Sequence, residues 1–183
     1  KESCYFIDNL YHSYYDSICL NDNELFYGVI QKNENIKKVN LFRLLLKLDN
    51  NGKLIVDENN KIQVNNGIDI EILKSIKSNI TSSNLIINYR ENFFGSDEIT
   101  TFKYFPESNS YQSLSSINMA VYKYDIISNT SFMFCKSNKF PVLLEIKEKS
   151  IEKYEIDNLN SIEVSDYCIS PNGSSILIGN SNE

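Results

Sequence analysis

The sequence has no tryptophan, one histidine (His12), one alanine (Ala120), two arginines (Arg43 and Arg90) and only three prolines. Each shortage closes a route. A histidine-based zinc set is out of reach, and the four cysteines (Cys4, Cys19, Cys135 and Cys168) include no C-x-x-C pair, so no structural zinc spacing exists. A nucleophilic triad would have to use His12, which stands among Tyr11, Tyr14 and Tyr15, and an isolated histidine is more often a loop or core residue than a catalyst. No C-x-x-C setting is present to lower a cysteine pKa, and six scattered glycines build no phosphate-cradling loop. No catalytic, metal-binding or cofactor-binding residue is therefore assigned, and the chain is read as a non-enzyme. The shortage of arginine, with a formal net charge of -6 and a pI near 4.9, argues against a dedicated nucleic-acid binder. No apolar run approaches the ~18–20 residues of a membrane span, and no basic segment followed by an apolar one opens the chain, so no membrane insertion is expected.

What is abundant is Asn, Ile, Lys, Ser and Tyr, the residue usage of an AT-rich coding sequence. Hydrophobic residues make up 42% and charged residues 23%, enough apolar surface to fold. The 183 residues suit a single β-rich domain spanning 1–183. Short β-branched and aromatic runs bounded by Asn, Gly, Asp and Ser read as consecutive antiparallel strands near 4–7, 14–20, 24–30, 38–47, 53–56, 61–64, 84–90, 99–105, 118–126, 131–136, 141–147, 162–169 and 175–179. Asn51-Gly52 and Asn66-Gly67 are tight-turn signals. One stretch departs from the pattern. Asp69 precedes Ile72, Leu73, Ile76 and Ile80, a spacing near 3.6 that predicts a short helix over 69–79 inside a polar insertion near 61–83. Asp57 to Asn60 and Glu107 to Tyr111 read as solvated loops.

Two local patterns are given plain structural readings. Lys47 through Glu58 imitates a calcium loop with Gly52 at its turn, but a cation at the first ligand position opposes calcium, so a hairpin is expected. The adjacent acids Asp57-Glu58 and Asp97-Glu98 point to opposite faces of a strand and read as solubilising charges.

The last segment is the most informative. Val164-Ser165-Asp166-Tyr167-Cys168-Ile169 leads into Ser170-Pro171-Asn172-Gly173, then an apolar strand ending at Gly179. Residues 16–28 repeat the skeleton: Cys19 in a first strand, a polar turn, and a second strand closing on Gly28. This resembles the inner strands of a WD40-type propeller blade, in which Ser-Pro-Asp-Gly joins two strands. Tyr124-Asp125 and Leu144-Glu145 stand where such blades carry Trp-Asp. The order of features over 118–183 plus 14–30 is similar to the N-terminal half of the telomerase Cajal body WD40 family. The resemblance implies a mainly β, antiparallel propeller-like meander; it also implies an intracellular scaffold, cytoplasmic or nuclear, within a ribonucleoprotein, with RNA as a partner only through that resemblance.

Candidate contact residues are aromatic. Tyr11, Tyr14, Tyr15, Phe93, Phe94, Tyr104 and Phe105 cluster near predicted loops, and interfaces are enriched in Tyr and Phe, although cores without Trp also recruit them. Tyr11, Tyr14, Tyr15, Phe93 and Phe94 are the expected contacts for a protein partner. The competing expectation is a secreted or cell-surface β-sandwich for adhesion or receptor binding, with two disulfides among the four cysteines and the sequons at Asn79, Asn129 and Asn172.

Overall fold

A computed structural model describes residues 14–21, 23–33, 36–79, 84–127, 130–159 and 161–180. Strands β1 (Tyr14–Asn21), β2 (Glu24–Asn33), β3 (Ile36–Leu48) and β4 (Leu54–Gln63) form the first antiparallel sheet in chain order. The second contains β5 (Ile72–Asn79), β6 (Asn84–Arg90), β7 (Glu98–Phe105) and β8 (Ser110–Asn118). The third contains β9 (Lys123–Ile126), β10 (Phe132–Ser137), β11 (Phe140–Ile146) and β12 (Ile151–Glu155). Strands β13 (Val164–Ile169) and β14 (Ile176–Asn180) pair as a two-stranded sheet. The described chain is thus mainly β and antiparallel, without a helix among the described residues, and no helix there is long and apolar enough to cross a membrane. The strand expected at 4–7 lies outside the described residues, as does His12.

The helix expected over 69–79 is strand β5, and the error has a mechanical cause. Pairing with β6 shifts between Leu73, opposite Tyr89, and Ser75, opposite Asn88. This bulge adds one residue, so Leu73 and Ile76 both reach the same core although they are three apart. An i, i+3 apolar spacing is helical in a regular chain; a bulged strand produces it as well. The tract near 61–83 accordingly supplies the end of β4 and all of β5. Asp57 to Asn60, expected as a loop, lies within β4 at a slip in register, where Leu45 faces Asp57 and Arg43 faces Ile62. The expected loop at Glu107 to Tyr111 ends two residues earlier, at Asn109, whose φ of 46° closes the β7–β8 turn.

The sheets stack in the order of the chain. Phe26, Val39, Leu41, Ile62 and Val64 of the first sheet and its exit pack on Leu73, Ile76, Leu85, Ile87, Tyr89, Phe102 and Tyr111 of the second. From the opposite face of the second sheet, Ile86 and Ile99 meet Tyr124, Met133, Cys135, Val142 and Leu144 of the third. Phe134, on the far face of the third sheet, packs with Val164 and Tyr167 of the fourth, the two rings 4.6 Å apart at 74°. Alternation along a strand creates this layering: in β6, Leu85, Ile87 and Tyr89 look one way and Ile86 the other, so all are buried. Each such fully buried apolar side chain contributes about 1.5–3 kcal/mol.

Two details bind neighbouring layers. After β4, Asn65 is 3% exposed; its Oδ1 accepts the Leu41 N–H at 2.8 Å, and its Nδ2 donates to the Val39 and Ile68 carbonyls at 3.0 Å each. A side-chain amide thus replaces the backbone of a further strand beside β3. Gly28 faces the second sheet, where a Cβ would stand 2.6 Å from Leu73 Cδ2 and 3.1 Å from Val39 Cγ1, so only glycine fits without displacing a buried leucine.

The turn signals hold. Gly52, Gly67 and Gly173 have φ of 75°, 82° and 70°. Asp49 Oδ1 accepts the N–H groups of Asn51 and Lys53 at 2.8 Å each, giving a β3–β4 hairpin at the calcium-like segment, while Lys47 pairs with Asp57. In Ser170-Pro171-Asn172-Gly173 the Gly173 N–H donates to the Ser170 carbonyl at 2.8 Å. Cys19 lies opposite Phe26, two residues before Gly28, and Cys168 opposite Leu177, two residues before Gly179. The two hairpins share this Cys-to-Gly spacing, although two residues separate the closing pair of the first and six that of the second. The dipeptides compared with Trp-Asp share no position: Tyr124-Asp125 lies on the first strand of its sheet and Leu144-Glu145 on the third, so they are not equivalent.

Candidate interaction surface

The turn from β6 to β7 projects two aromatic rings. Asn92 opens it, its carbonyl accepting the Gly95 N–H at 3.0 Å, and a Cβ on Gly95 would press on the Asn92 side chain at 3.1 Å. Between them Phe93 and Phe94 stand 62% and 95% exposed, ring centroids 5.3 Å apart at 84°. The edge-to-face pair is rigid at its base, because the Phe93 N–H donates to Glu71 Oε2 at 2.7 Å and the Glu71 N–H to the Arg90 carbonyl at 3.0 Å. Solvent-exposed phenylalanines on a fixed turn forgo the stabilisation that burial would give them.

Asp97 anchors this turn from below. It was expected to be a solubilising charge beside Glu98; instead it is 4% exposed, with Lys74 Nζ on one carboxylate oxygen and Arg90 Nε on the other. Burial alone would raise its pKa, but the hydrogen bonds from Lys74 and Arg90 outweigh it and hold the carboxyl below its ordinary 3.8. Glu98 keeps to the surface side and accepts from Thr100 Oγ1 at 3.3 Å.

Beside the turn lies a groove of about 360 Å³, lined by Ile68, Tyr89, Glu91, Glu98, Thr100 and residues 113–116. Two carboxylates and several hydroxyls face it, and no Lys or Arg is among its described walls. Its floor is fixed: the Tyr89 hydroxyl lies 3.3 Å from Thr100 Oγ1, and burial pushes that phenol up to about 12. A second cleft, of about 410 Å³, runs between β5 and β9, but its lysines are committed: Lys74 to Asp97, Lys77 to Asp125 at 3.0 Å and Lys123 to Asp166 at 2.7 Å. Among the described residues no group of three His, Cys, Asp or Glu is placed to hold a metal.

Of the five expected contact residues, Phe93 and Phe94 are together on this turn. Tyr14 and Tyr15 begin β1, and Tyr11 lies outside the described residues. Strand direction puts the start of β1 at the same end of the sheets as the β6–β7 turn, because the start of β3 is tied to the β4–β5 connection by the Val39 N–H on the Ile70 carbonyl at 2.6 Å. Tyr104 packs partly buried against the core instead, its ring tilted by 43° to that of Tyr111 at 5.3 Å, with the Arg43 guanidinium 4.8 Å from it. Tyr122, 71% exposed in the β8–β9 connection, joins the same end and was missed, since it was assigned to a strand. Glu71 and Glu91 were missed as well; nothing in a linear sequence says that Glu71 meets residue 93.

Cys135 and Cys168 are free thiols, the first buried and the second exposed. Burial, and to a lesser degree Asp125, drives the Cys135 pKa far upward. Brief treatment of the native protein with iodoacetamide should alkylate Cys168 and leave Cys135 untouched until denaturant is added, read as the modified peptide by mass spectrometry. A Cys168 that resists alkylation until a reductant is present would instead mark a disulfide. Against known proteins, the sequence matches no family model and no curated protein.

Proposed function

We propose that the chain is a run of β-propeller-type blades serving as a non-catalytic scaffold for protein–protein interaction, contacting its partner through the turns at the Phe93–Phe94 end. The observation that carries the reading is the serial stacking of antiparallel meanders, first strand to fourth in chain order, with both faces of the second and third sheets buried. Four successive layers exceed the two of a sandwich. The shared Cys-to-Gly spacing of the first and last hairpins supports a repeated unit. The free thiols favour a reducing compartment, cytoplasmic or nuclear, over the secreted alternative. The net charge of -6 turns the reading toward a protein partner rather than RNA.

The test is cross-linking in cell extract with the wild type and the double variant F93S/F94S, with melting temperature measured in parallel. The variant should lose cross-linked partner by about tenfold or more, the usual consequence of removing aromatic anchors, at an unchanged Tm. Equal capture by both proteins would end the assignment of this turn as the contact.

A further inference from the structure

The groove beside the aromatic turn indicates the chemistry of its partner. Glu91 is exposed on the rim and has no ion pair or hydrogen bond to a described residue, Glu98 accepts from the neutral hydroxyls of Thr100 and Tyr89 and has no cation beside it among the described groove walls, and Glu71 accepts the Phe93 N–H. These three carboxylates flank Phe93 and Phe94, while the nearby acids Asp69 and Asp97 are already paired, with Lys38 at 2.6 Å and with Lys74 and Arg90. The groove wall adds acceptors in the exposed hydroxyls of Ser113 and Ser116, those of Thr100 and Ser115 being engaged with Tyr89 and Thr101, and no cation stands among the described walls to neutralise Glu91 and Glu98. A site that combines two exposed rings, unneutralised carboxylates and hydroxyl acceptors is complementary to one class of ligand, a chain of cationic side chains on apolar stems.

We infer that this surface takes an extended, arginine- or lysine-bearing peptide segment of a partner protein, one cationic side chain entering the groove toward Glu91 and Glu98 while the adjoining chain lies across Phe93 and Phe94. This inference rests on the interaction-scaffold reading and specifies its partner. Arginine suits the site better than lysine. A guanidinium can span two carboxylates and stack on a phenyl face at once, whereas an ammonium is a point charge. An acidic segment or a nucleic-acid strand would meet only repulsion here.

The experiment is fluorescence anisotropy with labelled heptapeptides in which Arg, Lys or Glu alternates with Gly and Leu, together with a single-stranded RNA heptamer, at low and at physiological salt. The Arg peptide should bind most tightly and the Lys peptide more weakly; the Glu peptide and the RNA should not bind. E91Q/E98Q, nearly isosteric and on the surface, should weaken the Arg peptide by about tenfold and flatten its salt dependence. Binding of the Glu peptide or the RNA as tight as that of the Arg peptide overturns the inference, and so does an affinity unchanged in E91Q/E98Q or no binding of any peptide. The scaffold reading is scored separately by the F93S/F94S cross-linking, so a basic-peptide failure with an intact cross-linking difference removes only the charge assignment.

Discussion

Replacing Asp97 by alanine should cost the fold about 3–5 kcal/mol, because it strands Lys74 and Arg90 beside a site that is 4% exposed without the carboxylate that neutralises both. Lys74 lies on β5, Arg90 ends β6 and Asp97 directly precedes β7, so one side chain closes three consecutive strands; its backbone carbonyl also accepts the Met119 N–H at 2.9 Å, tying in the exit of β8. Urea unfolding checks the figure: the midpoint should fall while the slope is unchanged. A loss under about 1 kcal/mol would mean that the two cations are solvated without Asp97 and that the cluster is ornamental to stability. The pH dependence follows from the same geometry. The folded carboxyl titrates below 3.8, its ordinary unfolded value, so the protein form with Asp97 ionised is favoured by folding. Its contribution is complete about one pH unit above the unfolded value of 3.8 and is lost as pH falls through 3.8 and then the lower folded pKa. In Asp97→Asn the acid-induced decline over that window should be shallower than in the wild type.

Asn65→Asp should be the next most damaging change, at about 2–4 kcal/mol, although it alters one atom group and no volume. The Leu41 N–H would keep its acceptor, but the Val39 and Ile68 carbonyls would each face a carboxylate oxygen in place of an N–H donor. Burial at 3% exposure denies both carbonyls a water molecule in compensation. Because the substitution introduces a titratable group, its penalty should shrink at acid pH, where the carboxylic acid regains a proton to donate. Urea unfolding of Asn65→Asp at neutral and mildly acid pH measures both effects; equal stability of variant and wild type at neutral pH would show that the amide only fills space.

These two residues also show where the sequence was legible and where it was not. Strand β6 is readable to the residue, 84–90, because Leu85 to Ile87 is a continuous apolar run between Asn84 and Arg90, and both of its faces are buried. Asn51-Gly52 and Ser170-Pro171-Asn172-Gly173 announce their turns through φ requirements that are local. β5 was misread because its bulge shifts the apolar period, and β8 was missed because its Ser-rich sequence buries little beyond Tyr111. β12, with Glu152, Lys153 and Glu155 among five residues, is a charged edge strand whose composition resembles a loop. At the surface site, Phe93 and Phe94 were visible as aromatics inside a turn sequence. The roles of Asp97, Glu71 and Asn65 depend on partners far away in the chain, and adjacency in sequence told a misleading story for Asp97 and Glu98.

Every described sheet is built only of consecutive hairpins, and each packs on the sheet that precedes it. No described pairing waits for a distant strand to arrive, so loop-closure entropy is small at each step and hairpins can close on the microsecond scale, about 1–10 μs each. A chain with this wiring can mature on the ribosome from its amino-terminal side, each finished layer becoming the template on which the next collapses. Pulled from its two ends, it should give way layer by layer in a sawtooth of discrete force drops, the two-stranded β13–β14 layer among the first to yield.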